Sequence, residues 1–146
     1  MADIVDTATR SRMMAGIRGK NTKPEMLVRR LLHQSGFRYR LHVKDLPGTP
    51  DIVLPRYNAV IFVNGCFWHG HNCRLFKWPQ TRQEFWHDKI TRNHENDQKS
   101  REALLTDGWR TGVIWECMIR DNVKESWLPH LIDWILGNES FREYWI

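Results

Sequence analysis

The sequence predicts an α/β fold in which helices flank one mixed sheet, and three observations support this prediction. Patterns typical of helices and strands follow one another in the order helix, three strands, helix, strand, helix. Glycines and prolines separate these elements. The 146 residues contain 41% hydrophobic and 27% charged side chains, a composition that is ordinary for a single globular domain and argues against disorder.

The first half of the chain predicts one helix and three strands. The helix begins after Thr22, because Thr22-Lys23-Pro24-Glu25 combines an N-cap, a first-turn proline and a capping-box glutamate. Apolar residues then recur at helical spacing until Gly36 ends the helix. Strict alternation predicts a half-buried strand over 37–43, and short apolar runs predict strands over 51–54 and 59–63.

The second half predicts a long helix, a strand and a last helix. The long helix runs over 81–107 and opens with a second capping box formed by Thr81 and Glu84. A fourth strand is expected over 110–118 and a last helix over 125–136. The longest unbroken apolar run is 59–63, far short of the roughly 18–20 residues that a membrane span needs. We therefore expect a soluble protein.

Positive charge is concentrated near the N-terminus. The net charge is +5, and the first 50 residues hold 10 basic and 4 acidic side chains. A localised basic stretch indicates a polyanionic partner, foremost nucleic acid, although a solvated basic face is an equal alternative. Eight tryptophans suit either core packing or stacking on bases. We expect residues 1–20 to form an arm and 21–146 to form one domain.

The segment Cys66-Phe67-Trp68-His69-Gly70-His71-Asn72-Cys73 carries the densest chemistry. Three cysteines cannot form a closed disulfide framework, but structural zinc takes four Cys or His ligands in a tetrahedron. Cys66, His71, Cys73 and Cys117 supply that set if the fourth strand lies beside this loop. His69 is then left free for other work. The alternative is three small buried cysteines with exposed histidines.

A second group of side chains is acidic. Asp51 begins a strand directly after a Pro-Gly-Thr-Pro turn, and Glu25 lies in the first turn of a helix. Asn93 and Asp97 are spaced i, i+4 and therefore share one face of the long helix. Oxygen ligands of this kind suit Mg²⁺. Each acid taken singly has the alternative of being an ordinary cap or surface charge.

These residues together resemble a known family. Pro50-Asp51 ahead of a strand, after a helix with Glu25, resembles the PD-(D/E)xK nuclease core, but 61–63 lacks the expected acid and lysine. The CFWHGHNC segment is similar to the signature of very-short-patch-repair (Vsr) endonucleases, which show the same departure. The similarity continues through TRQEFW at 81–86, GWR at 108–110 and WEC at 115–117.

The resemblance implies a restriction-endonuclease-like core and Mg²⁺-dependent nicking of duplex DNA. The nick lies 5′ to the T of a T:G mismatch, which arises when 5-methylcytosine deaminates. Asp51 would hold magnesium, two ions in all, with the main-chain carbonyl of Val63. His69 would act as general acid/base, oriented by Asp97, while Glu25 would help to hold water at the magnesium. The same resemblance places Cys66, His71, Cys73 and Cys117 on the structural zinc.

The resemblance also implies how DNA is bound. Phe67, Trp68 and Trp86 would insert between bases, and an arm carrying Met14 would enter the opposite groove. The basic side chains expected on the phosphates are Arg10, Arg12, Arg18 and Lys20. We expect a monomer in the prokaryotic cytoplasm, associated with the nucleoid, with other repair proteins as further partners. Two alternatives stay open: a zinc-stabilised DNA-binding module without catalysis, and a restriction-type nuclease that cuts matched DNA.

Overall fold

A five-stranded mixed sheet forms the centre of the computed structural model, which describes residues 21–146. The strands are β1 (Arg40–Leu41), β2 (Ile52–Leu54), β3 (Ala59–Asn64), β4 (Arg110–Trp115) and β5 (Phe141–Arg142). The helices are α1 (Lys23–Gln34), α2 (Gln83–Thr106), α3 (Glu116–Asp121) and α4 (Lys124–Leu136), with a 3₁₀ turn at Pro55–Tyr57. The sheet order is β1-β2-β3-β4-β5, antiparallel from β1 to β3 and parallel from β3 to β5. The predicted α/β class is confirmed.

The two faces of the sheet carry separate apolar clusters. Successive residues of β2 point to opposite faces: Ile52 and Leu54 belong to the larger cluster, and Val53 belongs to the smaller one. The larger cluster contains the buried faces of α1 and α4 and the tryptophans Trp127, Trp134 and Trp145. Leu104 of α2 packs in the smaller cluster. Helices therefore cover both faces of the sheet, and α2 lies on the opposite side from α1 and α4.

The predicted cap of α1 is present, whereas the predicted cap of α2 is wrong. The Glu25 N–H donates to Thr22 Oγ1 at 3.3 Å, as the N-cap assignment requires. At α2 the N-cap is Arg82, which has φ 53° and makes no side-chain cap hydrogen bond. The left-handed backbone at Arg82 separates Thr81 from the first helical turn, so the helix begins at Gln83.

Two predicted strands are shorter in the structure, and one strand was missed. The strand predicted over 37–43 contracts to Arg40–Leu41, because Phe37 turns into the core and His42 has φ 48°. The strand predicted over 110–118 ends at Trp115, where α3 begins. The missed strand, β5, has two residues and pairs with β4. So short a strand leaves no periodic pattern in the sequence.

The predicted arm and its DNA-contacting residues lie outside the described residues. These residues are Met14, Arg10, Arg12, Arg18 and Lys20. Within 21–146, no helix combines the length and apolar character that crossing a membrane would require.

Candidate active site

A cleft of about 720 Å³ collects side chains that lie far apart in the sequence. It is lined by residues of the α1 start, the β2 start, the β3 end, the loop after β3 and the middle of α2. The lining includes eight of the predicted site residues, namely Glu25, Asp51, Val63, Phe67, Trp68, His69, His71 and Asp97. The fold thus brings the two predicted acidic elements and the Cys/His loop to one place.

Asp51 lines this cleft, directly before β2. Its Oδ2 accepts a hydrogen bond of 2.8 Å from the Val63 N–H, so Val63 lies beside the carboxylate. Burial raises the pKa of Asp51 to about 6, against a lowering by the Val63 hydrogen bond. The nearby Glu25 carboxylate raises this pKa further, while His42 and His69 lower it. A buried carboxylate with a raised pKa is typical of a functional site.

Glu25 and His42 complete the acidic side of the cleft. The Glu25 side chain is 2% exposed, and its Oε2 lies 2.8 Å from His42 Nε2. The same nitrogen lies 3.9 Å from Asp51 Oδ1, and one ligand atom from each of the three residues falls within 4.8 Å of the others. His42 was not among the predicted site residues, because the sequence pattern placed it on a strand. The signal that could have identified His42 is the pairing of the first two strands. With Leu41 opposite Ile52, His42 lies opposite Asp51.

His69 faces Asp97 on the other side of the cleft. His69 Nδ1 lies 2.5 Å from Asp97 Oδ2, so its Nε2 is the ring nitrogen left for chemistry. Asn93, one turn earlier on α2, donates to the Trp68 carbonyl oxygen at 2.6 Å. His94 contacts the His69 carbonyl oxygen. The predicted shared face of Asn93 and Asp97 is therefore the face of α2 that holds the loop.

The loop can approach α2 this closely because position 70 is glycine. Gly70 has φ 58°, and a Cβ there would overlap the Ile90 side chain and come within 2.8 Å of His94 Nε2. A residue with a side chain would thus meet both backbone strain and a steric clash. The close contact sets the position of His69, the residue immediately before Gly70.

Cys66, His71, Cys73 and Cys117 form one compact group, as the spacing predicted. Their ligand atoms lie within 4.8 Å of one another, with His71 Nδ1 at 3.6 Å from Cys66 Sγ and 3.5 Å from Cys117 Sγ. With zinc–sulfur and zinc–nitrogen bonds of ordinary length, the nitrogen–sulfur edge of a tetrahedron measures about 3.5 Å. Both the donor atoms and their spacing fit a tetrahedral metal ion.

The surroundings of this group also suit a metal ion. Burial lowers the pKa of His71, which favours the neutral imidazole that ligates metals. Burial raises the pKa of the Cys66 and Cys117 thiols, so a bound cation would be needed to hold them as thiolates. The Trp115 ring stacks on His71 at 4.0 Å between centroids and fixes the plane of the imidazole.

Phe67, Trp68 and Trp86 form an aromatic cluster beside His69. Their ring centroids lie 5.1 to 5.8 Å apart, and Phe76 stacks on Phe67 at 6.0 Å. Trp68 is 8% exposed, whereas Phe67 and Trp86 are partly exposed. The structure therefore brings the three predicted base-contacting aromatics together, and two of them, Phe67 and Trp68, line the cleft.

Comparison with known proteins agrees with this site. Residues 2–75 match the family model described as DNA mismatch endonuclease Vsr. The chain is 47% identical over 134 residues to the type II nicking enzyme V.XorIIP of Xanthomonas oryzae pv. oryzae, covering 91% of this chain and 98% of that protein. It is 44% identical over 140 residues to the DNA mismatch endonuclease Vsr of Escherichia coli strain K12, covering 94% and 90%. The type II nicking enzyme V.NmeAIP of Neisseria meningitidis is 46% identical over 121 residues, covering 83% and 86%.

Proposed function

The chain belongs to the Vsr family of DNA mismatch endonucleases, and on that premise we propose that it nicks duplex DNA 5′ to the T of a T:G mismatch. The proposed reaction is a Mg²⁺-dependent hydrolysis of one phosphodiester bond. The observation that carries it is the pairing of His69 with Asp97 across the cleft from the Asp51 and Glu25 carboxylates. No lysine lines this cleft in the part of the chain that the structure describes.

His69 is the general acid/base in this proposal. Hydrolysis requires a water oxygen to attack the phosphorus, which displaces the sugar oxygen, while one proton leaves the water and one joins the leaving oxygen. The hydrogen bond from His69 Nδ1 to Asp97 fixes the imidazole tautomer and leaves Nε2 to take or give that proton. Asp97 stabilises the positive charge that His69 gains, as a carboxylate does in other base–orienter pairs.

Asp51 is the proposed ligand for magnesium. Its carboxylate and the main-chain carbonyl of Val63 would offer oxygen atoms of the kind that this cation prefers, while the neighbouring Glu25 would help to hold water at the magnesium. When bound, two Mg²⁺ ions would neutralise the phosphate charge and stabilise the leaving oxygen. Asp51 and Val63 would hold the ions, and they line the same cleft as His69.

The Cys/His group is proposed to hold one structural zinc ion. Cys66 precedes the aromatic pair and His71 follows His69 by two residues, so an ion at this group would fix both ends of the catalytic loop. Cys117 adds a ligand from the first turn of α3. Zinc ligation would thus tie the loop to α3 and add to the stability of the fold.

The aromatic cluster is the proposed mismatch sensor. Insertion of Phe67, Trp68 and Trp86 between base pairs costs a few kcal/mol of unstacking, and a soft T:G wobble lowers that cost. Met14 would insert from the opposite groove, while the basic arm residues Arg10, Arg12, Arg18 and Lys20 bind phosphates. A DNA substrate of this kind, and bacterial relatives, suit a monomer acting at the nucleoid in the cytoplasm.

A panel of end-labelled duplexes tests the proposal. T:G mismatches in varied sequence contexts are incubated with the protein beside matched duplexes, with and without added Mg²⁺. Nicking of the T strand, confined to T:G duplexes and to samples with Mg²⁺, is the expected result. Cleavage of matched duplexes at equal rate would favour a restriction-type nuclease, and T:G binding without any cleavage would favour a DNA-binding module.

A further inference from the structure

His42 occupies an unusual backbone position opposite Asp51. It follows β1 with φ 48°, and its N–H donates to the Asp51 carbonyl oxygen at 3.2 Å. Among residues other than glycine, this left-handed region is uncommon, although asparagine, aspartate and histidine adopt it more often than the rest. Such a conformation persists where the surroundings impose it, and it clusters at functional sites. The β1–β2 hairpin thus places His42 next to Asp51, at some cost in backbone strain.

The His42 side chain lies between the buried Glu25 carboxylate and the partly buried Asp51 carboxylate. Its Nε2 is 2.8 Å from Glu25 Oε2 and 3.9 Å from Asp51 Oδ1, while the imidazole is only 11% exposed. The proposed reaction assigns no step to this residue. His42 Nε2 therefore contacts the Glu25 carboxylate and approaches the Asp51 carboxylate. In the proposed function, these two carboxylates face the same cation.

The carboxylates need a partner of this kind because like charges repel strongly when they are shielded from water. Arg29 Nη1 and the Asn21 N–H also bind Glu25, both at 3.3 Å, but they belong to α1 and to the residue just before its N-cap. These contacts draw Glu25 towards its own helix. Among the described residues, His42 is the group that lies close to both Glu25 and Asp51.

We propose that His42 is a positioning residue that keeps the Glu25 and Asp51 carboxylates side by side and so prepares the site for a divalent cation. The inference rests on the proposed function, which places Mg²⁺ at Asp51. Without the Nε2 donor, repulsion and the contact with Arg29 separate Glu25 from Asp51. Cation binding must then bring the carboxylates together again, and the affinity for the cation falls.

Two substitutions at this position separate the donor from the bulk of the side chain. His42→Gln keeps an amide N–H near the position of Nε2, whereas His42→Leu has similar size and no donor. Both variants carry a similar backbone cost at φ 48°, so their difference reports the hydrogen bond. His33→Ala is the control, because His33 is exposed on the last turn of α1.

The experiment measures Mg²⁺ binding to the full-length, zinc-loaded protein by isothermal titration calorimetry, and the Mg²⁺ dependence of single-turnover nicking of a T:G duplex. Since a hydrogen bond to a charged group is worth about tenfold or more in an equilibrium, His42→Leu is expected to weaken Mg²⁺ binding about tenfold. His42→Gln and His33→Ala are expected to stay within about threefold of the wild-type affinity. Zinc content and T:G duplex affinity stay unchanged in all three.

Two results would overturn the inference. One is a His42→Leu protein, or a His42→Ala protein if the leucine variant does not fold, whose Mg²⁺ affinity matches or exceeds that of wild type. The other is a His42→Gln protein that is as impaired as His42→Leu. A wild-type protein that binds Mg²⁺ but nicks no T:G duplex would instead refute the proposed function, while the calorimetry would still decide the role of His42.

Discussion

Asp51→Asn is expected to stabilise the protein at pH 8 in the absence of added Mg²⁺. The Asp51 side chain is 23% exposed, and burial is the main reason that its pKa rises from 3.8 to about 6. At pH 8 the wild-type fold therefore carries an ionised carboxylate in a site that disfavours the charge. The asparagine carbonyl oxygen can still accept the hydrogen bond from Val63 N–H, so the variant removes the charge and keeps the contact.

The magnitude follows from linkage between the pKa and folding. A tenfold change in proton affinity is worth about 1.36 kcal/mol, so the raised pKa costs the wild-type fold about 3 kcal/mol when Asp51 is fully ionised. For a chain of this size, that corresponds to a rise in Tm on the order of 6–12 °C in the variant. The native state binds the proton more tightly than the unfolded state. The cost is therefore absent below pH 3.8, grows between pH 3.8 and 6, and is complete above pH 6.

Thermal and urea unfolding of zinc-loaded protein at pH 5 and pH 8 provide the assay. The advantage of Asp51→Asn at pH 5 should be about half of its value at pH 8. Asp45→Asn is the matched control, because it removes an exposed aspartate charge from the preceding loop. An Asp51→Asn protein that is no more stable than wild type at pH 8, or an advantage that does not change between the two pH values, would refute the reasoning.

The remaining predictions concern the base, the zinc group and the aromatic cluster. His69→Ala should slow T:G nicking by about 100-fold or more, and Asp97→Asn should slow it by at least about tenfold, while both variants keep their affinity for the mismatch. A single-turnover rate of His69→Ala within about tenfold of wild type would disprove the role of His69. Cys117→Ser should lower both the Tm and the zinc content, which we expect to be about one ion per wild-type chain. Elemental analysis and a thermal scan measure the two, and a stable, active protein without zinc would contradict the assignment. The double variant Phe67→Ala/Trp68→Ala should lose about 1–3 kcal/mol of T:G affinity per lost stacking contact, while matched-duplex affinity changes much less. An unchanged T:G preference in a fluorescence anisotropy titration would remove these side chains from mismatch recognition.

Local signals in the sequence predicted one helix start correctly and failed at another. Thr22 caps α1 as its pattern indicates. The same pattern at Thr81 failed, because Arg82 takes a left-handed backbone and the helix begins only at Gln83. The strand over 37–43 was predicted too long, since alternation cannot show that His42 takes a left-handed backbone. The strand β5 was missed because its two residues are held by pairing with β4, a tertiary contact that leaves no period in the sequence.

The candidate site divides in the same way. Spacing alone indicated the group of Cys66, His71, Cys73 and Cys117 that could hold a metal ion, and the i, i+4 rule placed Asn93 and Asp97 on one face of α2. Bringing Glu25 to Asp51 required the resemblance to a family, because α1 and β2 meet only through the packing of the core. Neither spacing nor the resemblance indicated His42, since its contact with Glu25 depends on the register of the β1–β2 hairpin.

The two sides of the cleft are held by different physical means, and this explains where prediction from the sequence succeeds. The acidic side is built on α1, β2 and β3, whose apolar residues pack in the core, so its geometry depends on the folding of the sheet. The His69 side is a loop that the Cys/His group holds at its ends and α2 holds in the middle, through Asn93 and Asp97. Polar and metal-ligating residues at fixed spacing can be recognised in a sequence, whereas the contact between two packed elements of secondary structure cannot. The placement of the loop that carries His69 was therefore the more predictable, whereas the arrangement of the carboxylates around His42 needed the structure.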